Sequence, residues 1–164
     1  MIEGATVLLT ATATDVDIPR QTLTYTLDAG APAGASINAN TGEFSWLTGE
    51  ADGPDTFSVT IRVTDNGPGS LSDTETFLIS VTENNTAPVL AAIVDQTVTE
   101  GVTVQFTAGA TDADLPSQTL TYTLDAGAPA AATIDPVTGA FSWATTAADS
   151  PGVYPITVRV TDDG

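Results

Sequence analysis

Gln21-Thr22-Leu23-Thr24-Tyr25-Thr26-Leu27-Asp28-Ala29-Gly30-Ala31-Pro32-Ala33 reads as a strand running into a turn. Leu23, Tyr25 and Leu27 alternate with Thr22, Thr24 and Thr26, the two-residue period of a strand with one buried face. Ala31-Pro32-Ala33-Gly34 then supplies turn chemistry. The same thirteen letters recur from Gln118 to Ala130. A shift of 97 residues aligns Glu3 with Glu100 and Asp65 with Asp162 without a gap. It also matches Asp15/Asp112, Asp17/Asp114, Thr41-Gly42/Thr138-Gly139, Phe44/Phe141, Trp46/Trp143 and Phe57/Tyr154. A repeat of about 100 residues is the size of a whole sandwich domain, whereas solenoid units run ~20–50 residues. The chain is therefore a tandem array of complete modules.

Period two governs each module. Val7, Leu9, Ala11 and Ala13 form one face of Val7–Thr14, and the other is mostly Thr. Phe57, Val59, Ile61 and Val63 alternate with polar residues, as do Phe77, Ile79 and Val81. Asn40-Thr41-Gly42 and Asp65-Asn66-Gly67-Pro68-Gly69 punctuate them as turns. Short strands at this spacing, with no helical window, predict an all-β protein of tandem antiparallel β-sandwiches. The segment Ala87–Val94 is expected to be the first strand of the second module, and its counterpart in the first would precede Met1. The strand Thr74–Val81 ends the first module, and its counterpart in the second would follow Gly164. The simplest expectation is an excerpt of a longer repeat protein. A sharper one is that exposed edges pair with another chain, an idea that a concentration-independent monomer mass would refute.

Charge narrows the chemistry. The 164 residues hold 21 Asp and Glu, three Arg (Arg20, Arg62, Arg159), and no Lys, His or Cys, for a formal charge of −18. So acidic a surface repels phosphate backbones and anionic lipid, which excludes nucleic acid as a partner. No run approaches the ~18 apolar residues of a membrane span, so direct membrane insertion is not expected. Without His, Cys or Lys there is no Ser-His-Asp triad, thiol nucleophile, zinc finger or Schiff base. Carboxylate oxygen remains, the ligand type of a hard cation such as Ca2+. Met1-Ile2-Glu3-Gly4 lacks the basic start and apolar stretch of a signal peptide, so any export signal is expected outside these residues.

The acids fall at strand ends. Asp15, Asp17 and Asp65 follow strands and are assigned to one pole of the first module. Glu3, Glu50 and Asp52 precede strands and are assigned to the other, with the exit Glu83-Asn84-Asn85-Thr86. A strand of twelve to fourteen residues separates the poles by up to ~40 Å. Stacking the modules end to end would bring Glu3, Glu50, Asp52, Glu83, Asp112, Asp114 and Asp162 around one linker. Ca2+, which takes 6–8 oxygens at about 2.3–2.6 Å in irregular shells, suits such a set better than Mg2+.

Val59-Thr60-Ile61-Arg62-Val63-Thr64-Asp65-Asn66-Gly67-Pro68-Gly69-Ser70-Leu71-Ser72, then Phe77–Val81, then Asn84-Asn85-Thr86-Ala87-Pro88, resembles a cadherin repeat. Asp15-Val16-Asp17 resembles that family's Asp-x-Asp motif, and Ile37-Asn38-Ala39-Asn40-Thr41-Gly42-Glu43-Phe44 its Thr-Gly element. Ala31-Pro32-Ala33-Gly34-Ala35-Ser36-Ile37 is closer to the dystroglycan-type cadherin-like and "putative Ig" repeats of large bacterial surface proteins. The resemblance covers nearly the whole chain. It implies tandem antiparallel Greek-key β-sandwiches of cadherin/Ig-like type, over residues 1–83 (first strand missing) and 88–164 (last strand missing), with 84–87 as linker. It also implies calcium contacts from Glu3, Glu50, Asp52, Glu83, Asn84, Asn85, Asp112, Asp114 and Asp162, with backbone carbonyls at Glu83 and Asn84. Asp15, Asp17, Asp65, Glu100 and Asp149 form the second set of poles. The sequence departs from the family at Thr48-Gly49-Glu50-Ala51-Asp52, at Ala147, and at Thr82, Asn85 and Thr86, changes that predict fewer or weaker ions.

Three functions follow as expectations. The favoured one is a non-enzymatic, calcium-rigidified spacer in an extracellular bacterial adhesin or surface protein, its partners the neighbouring repeats and, at the cell surface, a glycan or protein. The alternative is a carbohydrate- or protein-binding module appended to a secreted enzyme, favoured if Trp46 or Trp143 is exposed. Each Trp shares parity with Phe44 or Phe141, which favours packing instead. A hydrolase with paired carboxylates ranks last, because the acids sit at poles and nothing supplies a cleft.

Overall fold

The computed structural model describes all 164 residues. They form two compact units, Met1–Asn84 and Asn85–Gly164. The first contains β1 (Thr6–Thr10), β2 (Thr24–Leu27), β3 (Ser36–Ile37), β4 (Glu43–Leu47), β5 (Asp55–Thr64) and β6 (Ser72–Val81). The second contains β7 (Val89–Leu90), β8 (Thr103–Thr107), β9 (Ala110–Thr111), β10 (Thr121–Leu124), β11 (Thr133–Ile134), β12 (Ala140–Ala144) and β13 (Val158–Thr161). Single 3-10 turns lie at Glu50–Asp52 and Ala147–Asp149, where none was expected.

In the first unit one antiparallel sheet has the order β1-β4-β3 and the other β2-β5-β6. Their inward faces interleave in a sandwich core of Tyr25, Phe44, Trp46, Val59, Ile61, Ile79 and Val81, with Val7, Leu9, Leu27, Phe57, Val63 and Phe77 packed against it. These are the apolar positions of the period-two pattern, because alternate side chains of a strand share one face. Trp46 is fully buried and donates its indole N–H to the Ala33 carbonyl at 3.1 Å. Phe57 meets Trp46 edge to face at 4.8 Å, and Phe77 meets Phe44 likewise at 6.0 Å. The second unit repeats the plan with β11-β12-β8 and β10-β13, and β7 pairs with β9.

Two strands are shorter than their sequence pattern. Ladder pairing of β1 stops at Thr10, although Ala11 and Ala13 continue to face the core. The Ala11 N–H donates to the Gly42 carbonyl, as the Ala108 N–H does to Gly139. Both glycines have positive φ, +70° and +68°, and a Cβ on either would stand 2.3 Å from the carbonyl oxygen of Ala11 or Ala108. The recurring Thr-Gly is thus set by a left-handed turn pressed against a strand backbone. Ala87–Val94 yields a strand only at Val89–Leu90.

One bidentate ion pair ties each unit's sheet to its turn. Arg62 Nε and Nη2 donate to Asp28 at 2.9 and 2.6 Å, and Arg159 holds Asp125 at 2.9 and 2.8 Å. The guanidinium hydrogen bonds hold both aspartates below the usual carboxylate range.

The cores differ in size. The second unit's cluster contains only Val104, Phe141 and Trp143 as fully buried members. Each additional buried Val or Ile stabilises by roughly 1.5–3 kcal/mol. The unit with the larger core is therefore expected to unfold at higher denaturant. Each unit carries one Trp, so Trp143→Phe and Trp46→Phe variants report the two transitions separately by fluorescence. Coincident midpoints for the Trp46 and Trp143 signals would refute this ordering.

Candidate metal centre

The first unit gathers three carboxylates from three separated segments. The Ile2–Thr82 parallel bridge, with the Glu3 N–H on the Thr82 carbonyl at 3.1 Å, sets Glu3 beside the end of β6. Glu83 follows directly in chain. The 3-10 turn Glu50–Asp52 carries Glu50 to the same place. One oxygen from each of Glu3, Glu50 and Glu83 lies within 4.8 Å of the others. Gly53 makes room for the group, since a Cβ there would stand 2.6 Å from Glu3 Oε2.

The electrostatics of this trio are unfavourable as they stand. Glu3 is 9% exposed, and its Oε2 is buried without a hydrogen-bond partner, as are both carboxylate oxygens of Glu83. Burial, followed by the charges of Glu50 and Glu83, pushes the Glu3 carboxyl up, while the Asn84 backbone N–H works against the rise. The Glu3 and Glu50 carboxyl groups face each other. Buried carboxylate oxygen without a donor is costly unless a cation or proton joins it. A hard divalent cation fits that deficit: the donors are all oxygen and they converge.

Other expected ligands are placed differently. Asp52 does not join the trio; its Oδ2 accepts the Gly49 N–H at 2.7 Å and closes the 3-10 turn. Asp149 does the same in the second unit, accepting the Thr146 N–H and hydroxyl at 2.7 Å each. Glu100, at the position of Glu3, is exposed, and Ala147 stands at the position of Glu50, so no equivalent trio forms there.

The second unit instead gathers Asn85, Asp112, Asp114, Gln118 and Asp162. Asp114 is 3% exposed and accepts the Thr86 N–H at 2.8 Å, the Thr86 hydroxyl, and Gln118 Nε2 at 3.2 Å. Its own N–H donates to Asp112 Oδ1 at 3.0 Å. Asn85 donates to Asp162 Oδ1 at 3.0 Å, which holds the Asp162 carboxyl low, and accepts from Gln118 at 2.7 Å. Asp112 Oδ2 and Gln118 Oε1 are buried without partners. Asp114 is thus satisfied by protein donors, whereas Asp112 retains a free oxygen.

Asp15, Asp17 and Asp65, in the first unit, behave chiefly as turn formers. Asp15 Oδ1 accepts the Asp17 N–H, and Asp65 Oδ1 accepts the Gly67 and Leu71 N–H groups. Gln21 connects them by donating to Asp17 at 2.9 Å, with its side chain against Gly67. Gln21 and Gln118 were missed as site residues. Their signal was available, since they open the segment that recurs letter for letter. Both tryptophans lie in the cores, Trp46 at 0% and Trp143 at 7% exposure, so neither offers an indole face for stacking on a sugar.

Comparison with known proteins agrees with this architecture. Mouse cadherin-23 EC22-24 is 26% identical with a TM-score of 0.50, covering 87% of this chain and 48% of that structure. Human CDH23 EC21-23 is 21% identical with a TM-score of 0.59, covering 99% and 58%. Protocadherin Gamma B2 extracellular cadherin domains 3-6 is 19% identical with a TM-score of 0.56, covering 100% and 46%. The chain spans about half the length of these solved structures, and the latter two share its fold. No match is found among curated proteins. A family model described as "Putative Ig domain" matches residues 3–82 and again 87–164. The cadherin-like sandwiches are thus two tandem copies of one repeat, and the chain belongs to the "Putative Ig domain" family.

Proposed function

We propose that the chain is a calcium-binding structural repeat of an extracellular bacterial adhesin or surface protein, contributing to cell adhesion as a spacer. The observation that carries this reading is the trio Glu3, Glu50 and Glu83, with three buried carboxylate oxygens that no protein donor reaches. Arg62 and Arg159 are committed to Asp28 and Asp125, so a cation from solution is the natural counter-charge. Millimolar calcium outside cells suits an oxygen site of this kind. The family match, the cadherin-like fold and the buried tryptophans support a structural, non-enzymatic repeat over a sugar-binding module. Neighbouring repeats of the same protein are the expected partners.

Calcium is expected to raise the melting temperature of the first unit, by about 2.7 kcal/mol of stabilisation at a hundredfold excess over Kd. Glu50→Gln separates binding from packing. It should reduce the calcium response yet raise stability in chelator, because it removes one of three like charges. Melting curves and scattering-derived lengths that are the same in calcium and in chelator would rule the reading out.

The acid–base behaviour should differ with and without the ion. Glu3 has a folded-state value above its ordinary 4.5. Its contribution to stability is therefore full below about 4.5 and is lost as pH rises through the raised value. Asp28 and Asp125 act in the opposite sense: their contribution is present above the ordinary 3.8 and is lost as pH falls through their lowered values. In chelator, the first unit should thus lose stability between mildly acidic and neutral pH. Calcium should abolish that loss. Thermal melts across this range, followed through Trp46 in the Trp143→Phe variant, read the difference.

A further inference from the structure

Five asparagines occur in the chain, and only Asn66 is followed by glycine. Asn66-Gly67 lies in the turn that joins β5 to β6. In such a pair the glycine backbone nitrogen can close a five-membered ring onto the side-chain Cγ, and no Cβ obstructs its approach. The turn adds two specific contacts to this intrinsic proximity. The Gly67 N–H donates to Asp65 Oδ1 at 2.9 Å, and Asn66 Oδ1 accepts the Thr22 N–H at 2.7 Å. Asn66 itself is exposed, so water reaches it.

Each contact has a chemical consequence. The lone pair with which an amide nitrogen attacks stands perpendicular to its N–H, so the bond to Asp65 leaves that lone pair free. It also places a carboxylate on the one proton that the nitrogen must lose, the position of a general base. Addition to Cγ puts negative charge on Oδ1, where the Thr22 N–H already points, as donors do in an oxyanion hole. The second unit shows that the fold accepts the product. Asp163 stands at the position of Asn66, and its Oδ1 accepts the Thr119 N–H, also at 2.7 Å.

We propose that Asn66-Gly67 is a self-modifying site at which the folded turn converts asparagine to an acid, with Asp65 as base and the Thr22 N–H as oxyanion donor. Gly67 N bonds to Asn66 Cγ and gives its proton to Asp65. The Cγ–Nδ2 bond then breaks, Nδ2 takes that proton and leaves as ammonia, and a cyclic imide remains. Water opens the imide at either carbonyl, giving aspartate or isoaspartate at position 66. One water is consumed and one ammonia is released, with no oxidant or cofactor. The aspartate product reproduces the second unit's turn and adds a carboxylate next to Asp65. Isoaspartate lengthens the backbone by one methylene where Gly67 lies against the Gln21 amide. The inference needs no bound calcium and stands or falls separately from the proposed function.

The test incubates the full chain at neutral pH in chelator, so that no cation competes for Asp65. Peptide mass mapping follows the amide-to-acid mass gain at each asparagine. Conversion at Asn66 is expected to be at least about tenfold faster in the folded chain than in the same chain held in denaturant. Asp65→Asn keeps a side-chain oxygen for the Gly67 and Leu71 N–H groups but is no base, and should slow conversion about tenfold or more. Thr22→Pro removes the oxyanion donor ahead of β2 and should slow it likewise. A cooperative melt through Trp46 verifies that each variant is folded. Equal or faster conversion in denaturant would overturn the inference, as would either folded variant reacting at the full rate.

Discussion

A β-strand holds its conformation through its neighbours, and in these repeats β5 is the strand on which the others depend. Its N–H and C=O groups alternate between β2 and β6, while its inward side chains Val59 and Ile61 occupy the centre of the core. Its last four residues ladder with both β2 and β6, and the first six with β6 only. In the second unit β13 begins only at Val158, and Ile156 and Val158 are half-buried where Val59 and Ile61 are buried. Since buried apolar area is the main source of stability, the ladder between β5 and β6 supports the core beneath it as well as the sheet edge.

The second organising constraint is the allocation of very few positive charges. Two of three arginines are fixed in bidentate pairs with Asp28 and Asp125 on the sheet, where each braces a strand against the turn that follows its neighbour. An exposed pair of this kind contributes at most about 1 kcal/mol in general. Its larger consequence is that these arginines are withdrawn from the acids at the ends of the units. There the chain relies on backbone N–H groups and side-chain amides, and where these run out, as at Glu3 and Glu83, carboxylate oxygens remain buried and bare.

The fold was legible because period two is a direct consequence of pleating. Leu23, Tyr25 and Leu27, or Phe57 through Val63, cannot alternate in that way on a helix. The extent of the ladders was less legible. Val7–Ala13 keeps its alternation beyond Thr10, where Gly42 replaces the ladder partner with a turn, and only the tertiary contact of Gly42 with Ala11 reveals that. The site was legible in part. Glu3, Glu50 and Glu83 were named from strand polarity and family resemblance, but nothing in the sequence distinguishes Glu50, which faces Glu3, from Asp52 two residues on, which turns back to Gly49. Gln21 and Gln118 escaped notice because an amide carries no charge, and reasoning from charge looks past it.

That contrast between Glu50 and Asp52 gives a physical rule for reading an acidic repeat. Aspartate has a short side chain that reaches backbone N–H groups within a few residues, so Asp15, Asp52, Asp65, Asp112, Asp135 and Asp149 each close a local turn. Where such donors hold the charged form, as the Val137 and Thr138 N–H groups do for Asp135, the carboxyl is kept low and needs no ion. Glutamate, one methylene longer, can reach past its own turn to residues brought close by the fold, although Glu43 still accepts the Thr41 hydroxyl two residues away. Glu3 and Glu83 are in that position, and there the donors are missing. The carboxylates behind the net charge of −18 therefore include turn-forming aspartates whose charged form local donors hold, and the buried Glu3 and Glu83, whose bare oxygens are brought together by tertiary structure.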